Sequence, residues 1–298
     1  MAPVARERRV DIRERLRSGY VLADGAMGTM LMAAADGWTV PEEANLCAPE
    51  RVRDAHAAYV AAGAELVETN TFGGSPVKLA LVGLEDSAYE VNRAAAELAR
   101  EAAGDRVWVA GSVGPTGRFL EPLGDLSPTE AEDGFALQAD ALAAGGADLI
   151  VVETMSALDE ARAAIRGARR ASGLPVLCTM TFEPNLRTVM GVGLDGLIGL
   201  LDEGVEAIGV NCGQGPDTTA RIVARLREMA PHAVLAAQPN AGAPRLSGGG
   251  AVYDVGPEDL AEFARVMRRL NVALVGACCG STPEHIRAMA AALRDTRD

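Results

Sequence analysis

The sequence contains very little lysine, few aromatic residues and no long uninterrupted apolar run. Lys78 is the only lysine in 298 residues, and aromatic residues make up 4% of the chain. No segment approaches the roughly 18 uncharged apolar residues of a membrane-spanning helix. The arginine-rich N-terminal stretch has no apolar centre like that of a secretory signal. We therefore expect a soluble, cytoplasmic protein that does not enter a membrane.

An excess of positive charge is also missing. The net charge is −13 and the calculated pI is near 4.8, which disfavours nonspecific binding to nucleic acids or anionic membranes. The acidic residues are scattered over segments with helical periodicity, as expected for solvated helix faces. No nucleic-acid or membrane partner is expected, and the oligomeric state stays open.

The five cysteines do not indicate a disulfide framework. Their number is odd in a long chain, and the adjacent Cys278 and Cys279 cannot easily form a disulfide with each other. Reduced thiols again favour the cytoplasm. Cys47 lies in a loop and Cys178 inside a strand-like run, so both are expected to be structural.

The chain repeats one pattern eight times: a short β-branched run, a polar or glycine-rich loop, and an amphipathic helical segment. This pattern predicts a parallel sheet, and its length and count favour a single (β/α)8 TIM barrel over residues 1–298, with 1–18 as an N-terminal helical extension. The glycine-rich stretches 73–76 and 246–250 are expected to be loops. The predicted strands are 20–23, 65–69, 107–110, 148–152, 176–180, 207–210, 233–237 and 273–276.

Polar and glycine-rich motifs follow each of the eight predicted strands. In a barrel the carboxyl ends of all strands meet at one pole, where active sites are built. Each motif alone is a weak signal, but the whole set predicts a functional site at that pole. The motifs are 24–29, 68–73, 111–117, 153–156, 181–183, 211–213, 238–242 and 278–280.

Three cysteines stand at two of these strand ends. Cys212 lies between Asn211 and Gly213, and the pair Cys278 and Cys279 lies between Ala277 and Gly280. Three thiols at one pole are typical of a catalytic zinc site, which leaves one coordination position open for water or substrate. The alternative is that they are small buried residues at strand ends, as free cysteines often are.

Together the motifs resemble the homocysteine S-methyltransferase family. This family includes the homocysteine-binding barrel of cobalamin-dependent methionine synthase and relatives that use betaine or S-methylmethionine. The resemblance extends from Val21 to Leu293 and rests on the strings DGAMGT, ETNTFGG, GSVGPTG, VET, GVNCG, PNAG and GACCGSTPEH. The strings GSVGPTG, MTFEPNLRTVMG and PNAG are more similar to the methionine-synthase branch than to the betaine branch.

The resemblance implies one zinc ion held by Cys212, Cys278 and Cys279, with the sulfur of homocysteine as the fourth ligand. The implied reaction transfers a methyl group to this sulfur and gives methionine. The chemistry is consistent with that role, because a free alkyl thiol is mostly protonated at neutral pH and zinc binding removes its proton. No general base is then required.

Further residues are expected to bind the amino-acid part of the substrate. Glu153 at the end of the fourth strand is the first candidate for the ammonium group, and the family places such a glutamate there. Asp24 is the second, with the backbone N–H groups around Gly25 and Ala26 facing the carboxylate. A turn-forming role is the alternative for Asp24.

Two asparagines flank the cysteines, and two other polar residues lie in the motif after the second strand. Asn211 and Asn240 are expected to contact substrate, and Asn240 also to replace the substrate as fourth zinc ligand. Glu68 and Asn70 are candidates for the pocket wall, although Asn70 could equally cap its loop.

The three histidines, His56, His232 and His285, lie on or beside predicted helices. A surface or helix-capping role is expected for each, and only His285 is close to the cysteine pair in sequence.

The methyl donor is expected to be a methylated corrinoid protein, because the branch resemblance favours cobalamin and the sequence has no D-x-H-x-x-G corrinoid motif. Cobalamin would then arrive on a separate protein. S-methylmethionine, S-adenosylmethionine and betaine are the alternatives. Betaine requires an aromatic cage, and Trp38, Tyr59, Phe72 and Tyr89 show no such arrangement in the sequence.

Two other classes of function stay open. The barrel could be a noncatalytic subunit that binds zinc or a thiol within a larger complex. It could also be a lyase or aldolase with incidental cysteines, but Lys78 lies beyond a strand end and is a poor candidate for a Schiff base. Which donor is used, whether a selenol or another thiol is accepted and whether a partner subunit is needed are not decided by the sequence.

Overall fold

A computed structural model describes residues 10–33, 37–247 and 250–295, which form a barrel of eight parallel strands surrounded by helices. The predicted (β/α)8 architecture is therefore confirmed. The barrel strands are β1 Val21–Leu22, β2 Leu66–Glu68, β3 Trp108–Val113, β4 Leu149–Met155, β5 Val176–Met180, β6 Ala207–Cys212, β7 Leu235–Pro239 and β10 Leu274–Val275.

The strands follow one another around the barrel in the order β1-β10-β7-β6-β5-β4-β3-β2. The two ends of this order meet, because Ala23 bridges Leu66 in parallel and Glu65 N donates to Leu22 O at 2.7 Å. The sheet is thus nearly closed, and the carboxyl ends of all eight strands lie at one pole.

Strand β5 has the predicted bounds, whereas β3, β4, β6 and β7 continue beyond their predicted ends into the polar motifs. The backbone ladder between parallel strands does not depend on apolar side chains. Asn211 and Cys212 therefore pair with Gln238 and Pro239 of β7. The consequence is that Cys212 is a strand residue with a fixed position.

Twelve helices connect and cover these strands within the described residues. Several begin with proline in the first turn, where the missing N–H has no partner to lose. The helices are α1 Ile12–Ser18, α2 Gly28–Ala33, α3 Ala44–Cys47, α4 Pro49–Ala62, α5 Pro76–Leu79, α6 Ala88–Ala103, α7 Pro128–Ala144, α8 Leu158–Ser172, α9 Leu194–Gly199, α10 Pro216–Met229, α11 Pro257–Arg269 and α12 Pro283–Arg294.

The inside of the barrel is filled by apolar strand residues, and helix α1 closes its lower end. Ile12 and Leu16 of α1 belong to the same buried cluster as Trp108 and Leu149. Two arginines of α1 bind one carboxylate below β6, with Arg13 Nε and Arg17 Nη2 each 2.8 Å from Glu206. This part of the predicted N-terminal extension is helical, and residues 1–9 lie outside the described residues.

A larger core lies between the strands and the surrounding helices. It contains outward-facing strand residues such as Val109 and Ile208, and helix residues such as Phe135 and Leu226. Alternation between the inner and outer clusters along each strand is what a two-layered barrel requires.

The glycine-rich stretch 246–250 is not simply a loop, which corrects the prediction. Strands β8 Arg245–Ser247 and β9 Gly250–Val252 pair antiparallel as a hairpin after β7, while residues 248 and 249 lie outside the described residues. A hairpin with glycine at its turn needs little apolar alternation, so its signal in the sequence is weak. The stretch 73–76 is a loop that ends where α5 begins at Pro76.

No helix in the described part of the chain is both long enough and apolar enough to span a membrane.

Candidate active site

The three predicted cysteines meet at the carboxyl pole of the barrel. The Cys278 and Cys212 sulfurs are 3.6 Å apart, those of Cys212 and Cys279 are 3.9 Å apart, and those of Cys278 and Cys279 are 4.0 Å apart. Strand β7 aligns the end of β6, which carries Cys212, with the segment after β10 that carries Cys278 and Cys279. Pro239 of β7 pairs with Cys212, and the Pro239 carbonyl oxygen accepts a hydrogen bond from Cys278 N at 2.7 Å.

This triangle has the dimensions of a zinc site. Zinc–sulfur bonds of about 2.3 Å in tetrahedral geometry place two thiolates about 3.8 Å apart. The observed separations are within about 0.2 Å of that value, and the three sulfurs are the one group of potential ligands of this kind found among the described residues. Three thiolates leave a fourth tetrahedral position for a substrate.

Two residues of the site have backbone conformations that are rare outside glycine. Cys212 has φ 62° and Thr154 has φ 59°, both in the left-handed region. Such conformations cost of the order of 1 kcal/mol or more and are found where a site fixes them. Here Asn211 Oδ1 accepts a hydrogen bond from Thr154 N at 2.9 Å, which joins the two strained strand ends.

The thiols influence one another's ionisation. Hydrogen bonds from the Cys212 and Cys278 thiols, and a further one from the Tyr253 hydroxyl, lower the pKa of Cys279. The pKa of Cys278 is raised because its thiol donates to its neighbours and is buried. The cluster therefore loses one proton readily and holds the others, and a divalent cation is the kind of group that would stabilise three thiolates together.

Three carboxyl groups lie beside the thiols: Asp24 and Glu153 are buried and Glu68 is half-buried. Asp24 is 1% exposed and accepts a hydrogen bond from Glu68 N at 3.0 Å. Glu68 accepts from Gln238 Nε2 at 2.9 Å. Glu153 accepts from Ser112 Oγ at 2.5 Å and from Asn211 Nδ2 at 3.0 Å.

Burial raises the pKa of all three carboxyl groups, and repulsion among them raises the pKa of Asp24 and Glu68 further. The pKa of Glu153 is raised by burial and by the neighbouring Cys279, against the Ser112 hydrogen bond. Such a cluster disfavours full ionisation until a cation enters. An ammonium group of a substrate would supply that cation.

The predicted contact residue Asn211 lies behind Glu153, with its amide fully used inside the protein. Its Nδ2 donates to Glu153 and to Thr154 Oγ1, and its Oδ1 accepts from Thr154 N and from Thr179 Oγ1. It is not among the residues that line the cavity.

Asn240 lies next to the loop of the cysteine pair. Its Nδ2 donates to Gly213 O at 2.8 Å, and its buried Oδ1 has no partner among the described residues. A buried amide oxygen without a donor is unusual and marks a place where a ligand or water could bind.

In the loop after β1, one of the backbone N–H groups that were predicted to bind the substrate carboxylate already has a hydrogen-bond partner. Ala26 N already donates to Ser281 Oγ at 3.0 Å. A Cβ atom on Gly25 would lie 2.4 Å from the same oxygen, so this position needs glycine. Both residues line the cavity, but a substrate carboxylate would compete with Ser281 for Ala26 N.

A cavity of about 430 Å³ is lined by the thiols and several of these groups, but not by Asp24 or Asn240. One half is bounded by the three thiols and by Glu68 and Glu153. The other half reaches the rim, where Glu42, Phe72 and Lys78 form part of the wall. Asn70 lines the cavity as well, but its amide donates to Pro41 O and Asn45 Oδ1 and thus holds its loop.

Sequence reasoning missed four residues around the site, and position was the signal available for them. Ser112, Thr154 and Gln238 stand at strand ends inside motifs already recognised as functional. Tyr253 follows the hairpin β8–β9, which was expected to be a loop, and no pattern in the sequence places its hydroxyl near Cys279.

One histidine contradicts the prediction. His56 is completely buried, and neither ring nitrogen has a hydrogen-bond partner among the described residues. It shares the inner face of α4 with Val52 and Tyr59, at the i and i+3/i+4 spacing that helical periodicity dictates. Surface exposure was therefore the wrong expectation.

The other predictions for residues outside the site agree with the structure except for the position of Cys47. His285 caps α12, since its Nδ1 accepts from Thr282 N at 3.1 Å, and His232 is exposed. Cys178 is buried in β5, as predicted. Cys47 is exposed and is the last residue of helix α3, so its predicted position in a loop is wrong. Neither cysteine belongs to the thiol cluster.

Comparison with known proteins gives a consistent result. A family model described as homocysteine S-methyltransferase matches residues 21–293. A curated protein named methionine synthase from Mycobacterium leprae is 34% identical over 312 residues, and one from Mycobacterium tuberculosis is 33% identical over 311 residues. These alignments cover 97% and 96% of this chain but 25% and 26% of the relatives, so the chain spans about a quarter of their length.

Solved structures of the homocysteine methyltransferase MmuM from Escherichia coli share the fold. The oxidised form has a TM-score of 0.79 and 24% identity, covering 95% of this chain and 99% of that chain. The metallated form has a TM-score of 0.76 and 24% identity, covering 92% and 96%.

Proposed function

Since the chain belongs to the homocysteine S-methyltransferase family, we propose that it transfers a methyl group to the thiolate of homocysteine at a zinc ion held by Cys212, Cys278 and Cys279. The product is methionine. The observation that carries this proposal is the three-thiol triangle, which lies in one cavity with buried carboxyl groups. A thiol-binding metal and an ammonium-binding cluster are the two features that a mercapto amino acid requires.

When bound, zinc would supply an electron-rich site that keeps the substrate sulfur deprotonated and nucleophilic. Residues of the chain itself bind and orient the amino-acid part of the substrate. Glu153, held by Ser112 and Asn211, binds the substrate ammonium together with Asp24. The backbone around Gly25 meets the carboxylate, and the enclosed cavity limits water near the sulfur. Catalysis then rests on positioning the sulfur in line with the methyl carbon.

The first candidate for the donor is a methylated corrinoid protein that approaches the open pole of the barrel. The similarity to proteins named methionine synthase supports this choice. A small donor such as S-methylmethionine, S-adenosylmethionine or betaine is the second candidate, supported by the free half of the cavity. A reduced cluster also fits a reducing compartment, in agreement with the proposed cytoplasmic location.

The direct test is to load the reduced protein with zinc, add L-homocysteine and free methylcobalamin, and measure methionine. We expect methionine above the level of a Cys278→Ala variant, while a Cys178→Ala variant behaves like the unchanged protein. A protein that binds zinc and homocysteine but forms no methionine with methylcobalamin or with the small donors would instead support the noncatalytic subunit.

A further inference from the structure

The three cysteine sulfurs compete with the substrate for the methyl group in the proposed transfer. Cys212, Cys278 and Cys279 all line the cavity in which the methyl group is transferred. The proposed reaction requires a thiolate to stay nucleophilic while it is bound to zinc, and cysteine thiolates on the same ion share that property. A methyl group on a cysteine would damage the site, so the protein needs a feature that distinguishes its own sulfurs from that of homocysteine.

Cys279 differs from the other two cysteines in having a tyrosine beside it. Of the three sulfurs, it is the one to which the hydroxyl group of Tyr253 donates a hydrogen bond. The tyrosine is half-buried and is not among the residues that line the cavity. Its hydroxyl therefore approaches the sulfur from outside the cavity and leaves the cavity side free for substrate.

The ring of Tyr253 is packed directly against the cysteine loop. Gly280 follows Cys279 in the chain and has φ 80°, in the left-handed region. A Cβ atom at position 280 would overlap the tyrosine ring. Glycine is the residue that allows both this backbone conformation and this close approach. The packing thus fixes the phenol ring next to the residue whose sulfur it contacts.

Hydrogen bonds also fix the segment that carries the tyrosine. Ala241 N donates to Cys279 O at 2.9 Å, and Ala241 O accepts from Val255 N at 3.0 Å. On the other side, Val255 O lies 3.0 Å from His285 Nε2 of α12. Thr282 N donates to Nδ1 of the same ring, so Nε2 carries the proton and donates it to Val255 O. His285 thus holds the chain two residues after Tyr253 in addition to capping α12.

We propose that Tyr253 is a specificity-determining residue, which directs the methyl group to homocysteine and away from Cys279. The hydrogen bond stabilises negative charge on the Cys279 sulfur. This stabilisation is lost as the sulfur attacks a methyl carbon, so the attack by Cys279 becomes slower. The substrate sulfur binds on the cavity side, where the hydroxyl does not reach, and keeps its reactivity. His285 is a positioning residue that acts through Val255. The inference rests on the proposed function.

The side reaction that the hydrogen bond suppresses is a simple displacement. The Cys279 sulfur donates an electron pair to the methyl carbon of the donor and forms a carbon–sulfur bond. The bond between this carbon and the leaving group breaks, and its electron pair leaves with that group. Cys279 becomes S-methylcysteine, a neutral thioether that is not among the common ligands of zinc.

The test uses iodomethane, a methyl donor that needs no binding site, and the reduced, zinc-loaded protein without homocysteine. Peptide mass spectrometry measures the rate at which each cysteine gains a methyl group. We expect Cys279 to be methylated about tenfold faster in a Tyr253→Phe variant, because a hydrogen bond to a charged sulfur is removed while the ring stays. Cys212 and Cys278 of the same molecules should keep their rates and provide the internal reference.

Two variants and one spectrum separate this effect from a loss of structure. Tyr89→Phe removes an exposed hydroxyl on α6 and should keep all three rates. His285→Leu removes the hydrogen bond to Val255 O and should raise the Cys279 rate in the same direction as Tyr253→Phe. In the cobalt-loaded protein, Tyr253→Phe should move the thiolate-to-metal absorption to longer wavelength, because a thiolate without a hydrogen bond gives up an electron more easily.

The outcomes distinguish this inference from the proposed function. An unchanged Cys279 rate in Tyr253→Phe, or an equal rise at all three cysteines, overturns the role of Tyr253 and leaves the transfer to homocysteine standing. An unchanged rate in His285→Leu overturns the positioning role of that histidine.

Turnover gives a second readout. If methylcobalamin yields methionine, Tyr253→Phe should lose activity progressively as methyl groups accumulate on Cys279, and a stable variant without this modification would contradict the inference. If no donor yields methionine, the proposed function fails, and the iodomethane rates still decide whether Tyr253 protects Cys279.

Discussion

At the scale of single residues, the site is a concentration of acidic groups that needs cations from outside. Three thiols and the carboxyl groups of Glu68 and Glu153 line a cavity in which Lys78 is the one basic residue among the described wall residues. Repulsion among buried acids raises their pKa values, and each incoming cation relieves it. The order of binding should therefore be metal first and amino acid second, because the metal orders the sulfurs.

The thiol cluster predicts that substitutions of the five cysteines differ in their effect on zinc binding and activity. Alanine at position 212, 278 or 279 should remove zinc and activity together, since two thiolates and water bind zinc much more weakly than three thiolates. Cys178→Ala should keep both, because its side chain is buried in β5 away from the cluster. Metal content after dialysis, measured by atomic absorption, checks this. Stoichiometric zinc in all three site variants would contradict the ligand assignment.

Glu153 can be tested without disturbing the metal. Glu153→Gln keeps the shape but removes the charge, so the affinity for homocysteine should fall about ten- to a hundredfold, as for loss of a charge-assisted hydrogen bond. Zinc content should stay at the level of the unchanged protein. Thermal shift with increasing homocysteine provides the affinity, and an unchanged affinity would show that the ammonium lies elsewhere.

His56 predicts a pH dependence of stability. Burial lowers the pKa of His56 from 6.5 to about 4, so the unfolded chain binds a proton between these values when the folded chain does not. Stability is thus complete above pH 6.5 and falls as the pH is lowered towards 4. Between pH 7 and pH 5 the loss from this residue should be about 2 kcal/mol.

A His56→Leu variant should lack this part of the pH dependence in urea unfolding, while His232→Leu, which changes an exposed ring, should follow the unchanged protein. Comparing variants matters because the raised pKa values of Asp24 and Glu68 act in the opposite direction. Parallel curves for His56→Leu and the unchanged protein would contradict the prediction.

The sequence predicted the residues whose chemistry is rare and missed those whose chemistry is common. Three cysteines at strand ends stand out in any chain, and the structure brings them together as expected. Ser112 and Gln238 resemble ordinary loop residues until tertiary packing directs them to Glu153 and Glu68. The same limit explains Tyr253, which reaches Cys279 from a hairpin.

At the scale of elements, the periodicity of the chain predicted that the strands are parallel and in which order they follow. It predicted the first and last residues of each strand less well. Hydrophobic runs end where the polar motifs begin, but the backbone ladder continues into them in β3, β4, β6 and β7. Short helices such as α2 and α9 carry weak periodicity, so the sequence gives little signal for their bounds. Their packing against neighbours, rather than their own sequence, determines them.

Helix capping gives a matched pair of predictions at this scale. Ser127 caps α7 by accepting a hydrogen bond from Glu130 N at 3.1 Å, whereas Ser87 at the start of α6 makes no such bond. Ser127→Ala should therefore lower the free energy of unfolding by about 1 kcal/mol. Ser87→Ala should change it by much less, and equal losses in denaturant titrations would show that the cap bond has no specific role.

At the scale of the whole molecule, the eight strands form one continuous sheet, and the two poles of the barrel differ in function. Helix α1 seals the lower pole through Ile12 and Leu16, and the upper pole carries the loops of the site. The chain is proposed to be a single domain. Since β1 bridges β2 and also pairs with β10, no strand can leave without opening the barrel.

Unfolding of the zinc-loaded protein should therefore be a single cooperative transition. The proposed zinc site exists only in the folded arrangement of cysteines from β6 and the β10 loop, so free zinc at a hundred times its dissociation constant should add about 2.7 kcal/mol of stability. Calorimetry with and without zinc measures this, with Cys278→Ala as the control that should not respond. Two separate transitions would contradict the single domain.

The scarcity of lysine has a practical consequence for the whole molecule. Reagents that acylate ε-amino groups find one such group in this chain, and it stands at the rim of the cavity. A fluorophore attached there would be a reporter built into the entrance, with no need to engineer a unique cysteine. The rate of acylation itself, slowed when the cavity is filled, would provide a footprint of whatever the barrel admits.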